Sequence, residues 1–498
     1  MMFDIFLLSS VVVVAVARAA FILVSAKGAV DHYYWLLAAR AYRQTRHLPA
    51  KIVGKYLLED ERQAYPPFFG WLLARLPEKL LLRPSIVVVV QIADVLVLLM
   101  LIAFAMAYNA SVRDIAVVVA VYGTAPALVA YNTQLASRAF GNLFLVGAVL
   151  AAAAAVDRAQ IDALALTLYA ASAVMAAAVV LTHKMTVQLM LVLWPLWAFL
   201  SGDWLLLLIP LLGVVLAAFI TGFDFARLLW RAHLEVILFW HRHRDELGAH
   251  LFNASPIYGN LARSEESAFH KRGLHGMLSH AARAFGHGPL VWLVPVTLLW
   301  DEAPASWIVI WSVGAAAVAF VTLYVSWLRC FGAGHLYIFN AIAPSALWWE
   351  SIIRGGHRAT LAVFAIGLAA TMASLVYGYR LRRANLGERD ESFEEALKRL
   401  ELLPPGRIAV FPLVAAEAVA YRTSHAVLWG GHGLGFDKLE PIYPVMRVKV
   451  GEALNIYNCG LLLFDKRYWP AGESVVDREL PKSEIQAFGS WRLVSIPR

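Results

Sequence analysis

The sequence predicts a polytopic α-helical membrane protein that ends in a small α/β domain. Of 498 residues, 60% are hydrophobic and only 16% charged, whereas soluble domains average about 45–50% and about 25%. Apolar runs long enough to cross a bilayer, about 20 residues each, recur along most of the chain. Beyond residue 384 the long runs stop, and short strand-like and helix-like segments alternate instead.

The apolar runs fall near residues 4–26, 86–107, 114–131, 139–156, 162–181, 185–200, 204–222, 289–301, 305–328, 336–353 and 358–378, about eleven in all. The first opens with "MMFD", which carries no positive charge, and stays apolar to Ala26. It therefore reads as an uncleaved span and not as a signal peptide. The expected organisation is a transmembrane domain over 1–384, with long external loops at 27–85 and 223–288, and a second domain over 385–498. An odd number of spans puts both loops and the tail on the side opposite the N-terminus. Arg and Lys in the short loops lean weakly towards an inside N-terminus and an outside tail.

Two charges lie inside the first two runs. Arg18 is eight residues from the outer end of one, and Asp94 eight residues into the other. At 1.5 Å per residue both sit about 12 Å deep. An isolated charge is costly at that depth, so the two are expected to pair or to share a polar network.

In the tail, "GRIAVFP", "HAVLWGG", "GLLLFD" and "WRLVSI" read as strands, and "LVAAEAVAYRT" and "VKVGEALNIYN" as helices. Strands alternating with helices favour a parallel sheet. "GGHGLG", Gly430 to Gly435, lacks the spacing of a dinucleotide loop, and Pro441 and Pro444 stand where its helix would run. It reads as a glycine turn at a strand end. Cys330 and Cys459 are the only cysteines, too few and too far apart for a disulfide framework or a cysteine-based zinc cluster. The net charge of +8 suits anionic membrane lipids and phosphate-bearing substrates; nucleic acid is not an expected partner.

Asp31 opens an amphipathic stretch, "YYWLLAARAYRQT", just beyond the first span. A carboxylate there has two readings. It can cap a helix, which the local sequence favours, or it can take a proton from a substrate hydroxyl at the membrane face. Arg138, His183, Lys184, Arg329 and His335 each begin or end a predicted span on the same side. Long basic side chains at span ends commonly snorkel, and they can also hold a phosphate. Glu59-Asp60-Glu61 is the acidic cluster of the first loop, where a solvated face competes with sugar or metal binding. His241, His243 and His250 belong to eight histidines between His233 and His287; Arg242 and Arg244 would repel a cation, and a basic interfacial loop closing over a lipid substrate is the preferred reading.

The first loop, with "DHYYW", a basic helix and then "YPPFF" (Tyr65-Pro66-Pro67), resembles the first external loop of the GT-C membrane glycosyltransferases, which use polyprenyl-phosphate-linked sugars. The likeness is to the protein O-mannosyltransferases and the lipid A aminoarabinose transferases. "QLASRAFGNLF", "LTHKMT" and "GAGHLYIFNAIAP" resemble later segments of the same family, and the tail resembles a periplasmic C-terminal domain. The family's Lys-Pro-Pro is Tyr65-Pro66-Pro67 here, and the "WWDYG" motif of oligosaccharyltransferases is absent.

The resemblance implies a GT-C fold and an inverting transfer of a sugar from a polyprenyl-phosphate donor to a periplasmic glycolipid or polysaccharide. Asp31 would be the general base, with His32, Tyr34, Tyr65, Arg138, His183, Lys184, Arg329 and His335 binding substrate. His183-Lys184 is the favoured phosphate pair because two adjacent donors can grip one anion. No cofactor is implied with certainty, and a divalent metal is left open. The expected location is the inner (cytoplasmic) membrane, with the active site and C-terminal domain on the periplasmic side. A transporter or flippase of lipid-linked sugars, or a polymerase or ligase of them, is the alternative.

Overall fold

The computed structural model describes residues 2–24, 30–47, 52, 54–57, 65–158, 160–247, 273–332, 334–384, 390–430 and 435–497. Among these, eight helices are long and apolar enough to cross a membrane: Ile5–Leu23, Ser85–Ala107, Arg138–Val156, Ala163–Val180, Lys184–Ser201, Trp204–Thr221, Ser306–Tyr324 and Arg358–Ala384. They coincide with eight of the predicted runs. The other three runs are helical but shorter. Val112–Gly123 gives way to Pro126–Tyr131 at a proline, Pro289–Thr297 has nine residues, and Ile338–Arg354 has seventeen. These are interior elements. In Ile338–Arg354 every side chain but Ser351 and Arg354 is buried, so it meets other helices, not lipid.

Arg18 and Asp94 meet as expected. The Arg18 guanidinium bonds to Asp94 and donates to Gln91 Oε1 at 3.0 Å. The Tyr122 hydroxyl donates to the other Asp94 oxygen at 2.6 Å. The network runs on through Asn142, which donates to the Tyr122 hydroxyl at 3.4 Å, to Asn340, which donates to Asn142 Oδ1 at 3.1 Å. Each member of this network is thus bonded to another, the condition for tolerating a buried polar group there. Gly123 permits the approach: a Cβ at that position would lie 2.4 Å from Val14 Cγ2, so any side chain would push the first helix, and Arg18 with it, away.

Outside the bundle, helix Val30–Thr45 packs against helix Phe68–Ala74 and against Ala416–Arg422 of the tail. Arg40 lies 4.2 Å over the Tyr421 ring and donates to the Tyr421 carbonyl at 3.2 Å. The tail holds five strands, β1 Arg407–Phe411, β2 Ala426–Val427, β3 Leu461–Asp465, β4 Glu484–Phe488 and β5 Trp491–Ser495, in the order β2-β1-β3-β5-β4. Three of them, β2, β1 and β3, are parallel as expected. The other two correct the expectation: β5 runs antiparallel to β3, and β4 antiparallel to β5. Only Gly489 and Ser490 join β4 to β5, and so short a link can form a hairpin but never a parallel crossover. The first loop extends this sheet. Tyr56 bridges Val427 in parallel, with Val427 N donating to Lys55 O at 2.9 Å and Leu57 N to Val427 O at 3.0 Å.

The described part of the second long stretch is largely helical, with helices Phe223–Arg242, Arg244–Leu247 and Gly273–His287. The first of these docks on the tail. Arg242 pairs with Asp437, His243 Nε2 lies 3.2 Å from Glu440, Gly435 N donates to Glu235 at 2.7 Å, and Phe239 stacks on Tyr443 at 5.8 Å. Both long stretches and the tail therefore gather at one end of the helical bundle.

Candidate functional site

At that end four separated segments converge on Tyr65. The Tyr65-Pro66-Pro67 turn leads into helix Phe68–Ala74 and is pinned to the bundle where Phe68 N donates to Leu181 O at 2.9 Å. Trp35 meets the Tyr65 ring edge-on at 5.4 Å and Tyr34 at 6.2 Å. Lys184 Nζ lies 5.1 Å from the ring centroid. The Asp31 carboxylate and the Arg138 guanidinium both act on the phenol, and Ser137 is within its hydrogen-bond reach. Burial among these groups, and then the Asp31 charge, raise the Tyr65 phenol above its ordinary value. It therefore stays a protonated donor, under the influence of one acid and of cations.

Asp31 sits in the first turn of helix Val30–Thr45, half-buried, where the helix dipole favours the carboxylate as an anion. Burial lowers the pKa of the His32 imidazole, whose ring meets Tyr33 edge-on at 5.5 Å. Tyr34 is buried against Trp35, ring centroids 5.2 Å apart. Arg138 opens helix Arg138–Val156 and turns its guanidinium over the Tyr131 ring at 4.8 Å. His335 reaches the same tyrosine, its Nε2 3.3 Å from the hydroxyl.

The adjacent pair His183-Lys184 divides its work. His183 caps helix Lys184–Ser201, its Nδ1 2.8 Å from Thr186 Oγ1, and lies so close to Gly141 that a Cβ there would come within 2.7 Å of its own. Lys184 reaches the Tyr65 ring, and its charge also acts on His233 of the second long stretch. Burial, helped by that charge, holds His233 down at about 4. Arg329 is not brought to the cluster; it donates to the Leu323 carbonyl at 3.2 Å.

Four residues that sequence reasoning passed over belong here: Ser137 beside Tyr65, and Tyr131, His287 and Arg382 beyond Arg138. Ser137 and Tyr131 lie within seven positions of Arg138, and that proximity was the available signal. His243 sits between Glu246 and Glu440, at 3.0 and 3.2 Å, and so serves the docking of the tail. Glu59-Asp60-Glu61, His250 and Gly431 to Leu434 lie outside the described residues. Among those described, no three His, Cys, Asp or Glu side chains converge as a metal site would require.

No protein-family model and no curated protein sequence matches the chain. Solved structures do. The oligosaccharyltransferase of Archaeoglobus fulgidus in its apo form is similar at a TM-score of 0.59 and 13% identity, over 95% of this chain and 71% of that one. Its complex with Zn and sulfate aligns at 0.57 and 12%, over 93% and 69%. ArnT from Cupriavidus metallidurans, bound to undecaprenyl phosphate, aligns at 0.56 and 14%, over 98% and 97%. At such identities the likeness is one of fold: the chain shares the fold of these oligosaccharyltransferase and ArnT structures.

Proposed function

We propose that the chain is an inverting glycosyltransferase that moves a sugar from a polyprenyl-phosphate donor to a glycolipid or polysaccharide. In this reading the site lies on the periplasmic side of the cytoplasmic membrane. One observation carries it: the charges of Asp31 and Arg138 both bear on Tyr65, whose ring also lies 5.1 Å from Lys184 Nζ, at the end of the bundle where both long stretches and the tail gather. Glycosyl transfer from a phosphate needs a base for the acceptor proton and cations for the departing phosphate. Here both kinds of group bear on Tyr65, at one end of the helical bundle. The solved complex of ArnT with undecaprenyl phosphate, on the same fold, supports the choice of donor.

The steps follow from the groups. Asp31 accepts the proton of the acceptor hydroxyl as its oxygen attacks the anomeric carbon. The bond from that carbon to the phosphate oxygen breaks, and its electron pair leaves on the phosphate. Arg138 and Lys184 neutralise the charge that grows there. Tyr65, kept protonated, offers a hydrogen bond between the two halves of the reaction. The cations assigned to the phosphate in this reading are the arginine and the lysine.

The test is transfer by the full chain in lipid nanodiscs, supplied with a panel of polyprenyl-phosphate sugars and glycolipid acceptors. Wild type is expected to transfer one of them. Arg138→Gln should raise the KM for that donor roughly 10- to 100-fold, the worth of one charge-assisted hydrogen bond to an anion. Movement of intact lipid-linked sugar across the bilayer, with no transfer from any donor, would instead support the transporter reading.

A further inference from the structure

Beyond Arg138 lies a second group that the proposed steps leave idle. The Tyr131 hydroxyl stands between two imidazoles, 3.0 Å from His287 Nε2 and 3.3 Å from His335 Nε2. The two rings are 4.9 Å apart. One carbonyl sets the protons. His287 Nδ1 lies 2.6 Å from the Arg283 carbonyl oxygen, which can only accept, so Nδ1 carries a hydrogen. A neutral His287 then presents a bare Nε2, which takes the Tyr131 proton, and the Tyr131 oxygen in turn accepts from His335 Nε2–H. Tyr131 and both ring nitrogens of His287 are thereby engaged.

It is also crowded with positive charge. Arg283 stands one turn back on the helix of His287, and Arg138 lies over the Tyr131 ring. Arg382, from helix Arg358–Ala384, donates to Thr133 Oγ1 at 2.8 Å and Ala130 O at 2.7 Å and acts on Tyr131 as well. Tyr377 of that helix faces Arg283. Burial, with Arg283 and Arg138 adding to it, holds His287 at about 4, so the imidazole is neutral at pH 7. Arg138 belongs to both groups, acting on Tyr65 and on Tyr131.

During the proposed transfer the phosphate changes charge. It enters as a diester with one negative charge and leaves as a monoester with two, its second pKa being about 6. We propose that the Tyr131–His287–His335 cluster seats the departing phosphate and takes up one proton from water with it. This rests on the glycosyl-transfer reading. The acceptor's proton passes through Asp31 to water, and the proton that arrives settles on His287 Nε2. Atoms and charge balance: alcohol and diester give glycoside, monoester dianion and one proton, which the product complex retains.

The uptake changes what the cluster can do. Once protonated, His287 Nε2 donates where it had accepted, and the Tyr131 hydroxyl is released from it. Two donors that had satisfied each other can then both turn to the phosphate, beside His335 Nε2–H. The seat so formed prefers the dianion that develops in the transition state over the monoanion that enters, which is the differential binding catalysis requires. Product release then needs the proton to leave, and should speed up as pH rises.

The experiment is calorimetric binding of farnesyl phosphate to the full chain in nanodiscs at about pH 7.5, where the ligand is a dianion, in two buffers of different ionisation heat. Wild type is expected to take up close to one proton, and none with farnesyl sulfate, a permanent monoanion. His287→Gln should bind farnesyl phosphate more weakly and without uptake, whereas Asp31→Asn should keep the uptake in full. Binding of farnesyl phosphate by wild type with no proton exchanged, or equal uptake with the sulfate, would overturn the proposal, and the two ligands decide this on wild type alone. A wild type that takes up the proton yet transfers no sugar would count against the enzymatic reading and not against the seat.

Discussion

Asp31→Asn should lose 10²- to 10⁴-fold in turnover, about the range general-base catalysis contributes, with folding and donor binding retained. The substitution keeps size and shape and removes only the capacity to take a proton. Asp31 lies on helix Val30–Thr45, whose buried face (Tyr34, Trp35, Ala38, Ala39 and Tyr42) anchors it irrespective of the charge. Initial rates of sugar transfer for the two proteins, with thermal unfolding and donor affinity measured alongside, separate the roles. Undiminished turnover would leave the carboxylate a helix-terminal anion and nothing more.

Breaking the intramembrane pair should have the largest effect on stability. In Asp94→Ala the guanidinium of Arg18 keeps Gln91 Oε1 and a weak 3.4 Å bond to the Gly123 carbonyl, but loses its counter-charge in a bundle where Asp94 is 1% exposed. Leaving one partner of a buried pair alone costs roughly 3–5 kcal/mol. The double variant Arg18→Met/Asp94→Leu, which removes both charges, should recover most of that loss. Unfolding of detergent-solubilised protein, followed for the single and the double variant, reads the difference. Equal stability of Asp94→Ala and wild type would mean that the pair contributes nothing to holding the first helix in place.

What could be read in advance, and what could not, divides along physical lines. Arg18 and Asp94 stand out because an ionised side chain is conspicuous in an apolar run, and counting the helical rise places both at one depth. The parallel half of the tail announces itself in "RIAVF" and "LLLFD", where apolar residues are continuous because both faces are covered. The antiparallel half does not. Strand Glu484–Phe488 is an edge with no fully buried side chain, so its apolar signal is weak, and only the two-residue turn after it reveals the hairpin.

The site is legible to the same degree. Asp31, Tyr65, Arg138 and Lys184 each mark a loop or a span end, and the fold brings them together. Successive residues at a helix start point in different directions, and here His183 Nδ1 turns to its own cap while Lys184 reaches the Tyr65 ring. Of the Tyr131 cluster, only His335 stood out in the sequence, at a span end. The cluster's histidines lie 156 and 204 positions from the tyrosine, one at the end of a helix and one in a short turn before the next, and only tertiary packing joins them.

The proton transfer assigned to Asp31 in a single displacement is tested most directly by the anomeric configuration of the transferred sugar. With a base at that position and no covalent sugar–protein intermediate, nuclear magnetic resonance of the first-turnover product should show the configuration opposite to that of the donor. A product of retained configuration would mean two displacements, with a carboxylate acting as nucleophile, and would contradict the role given to Asp31.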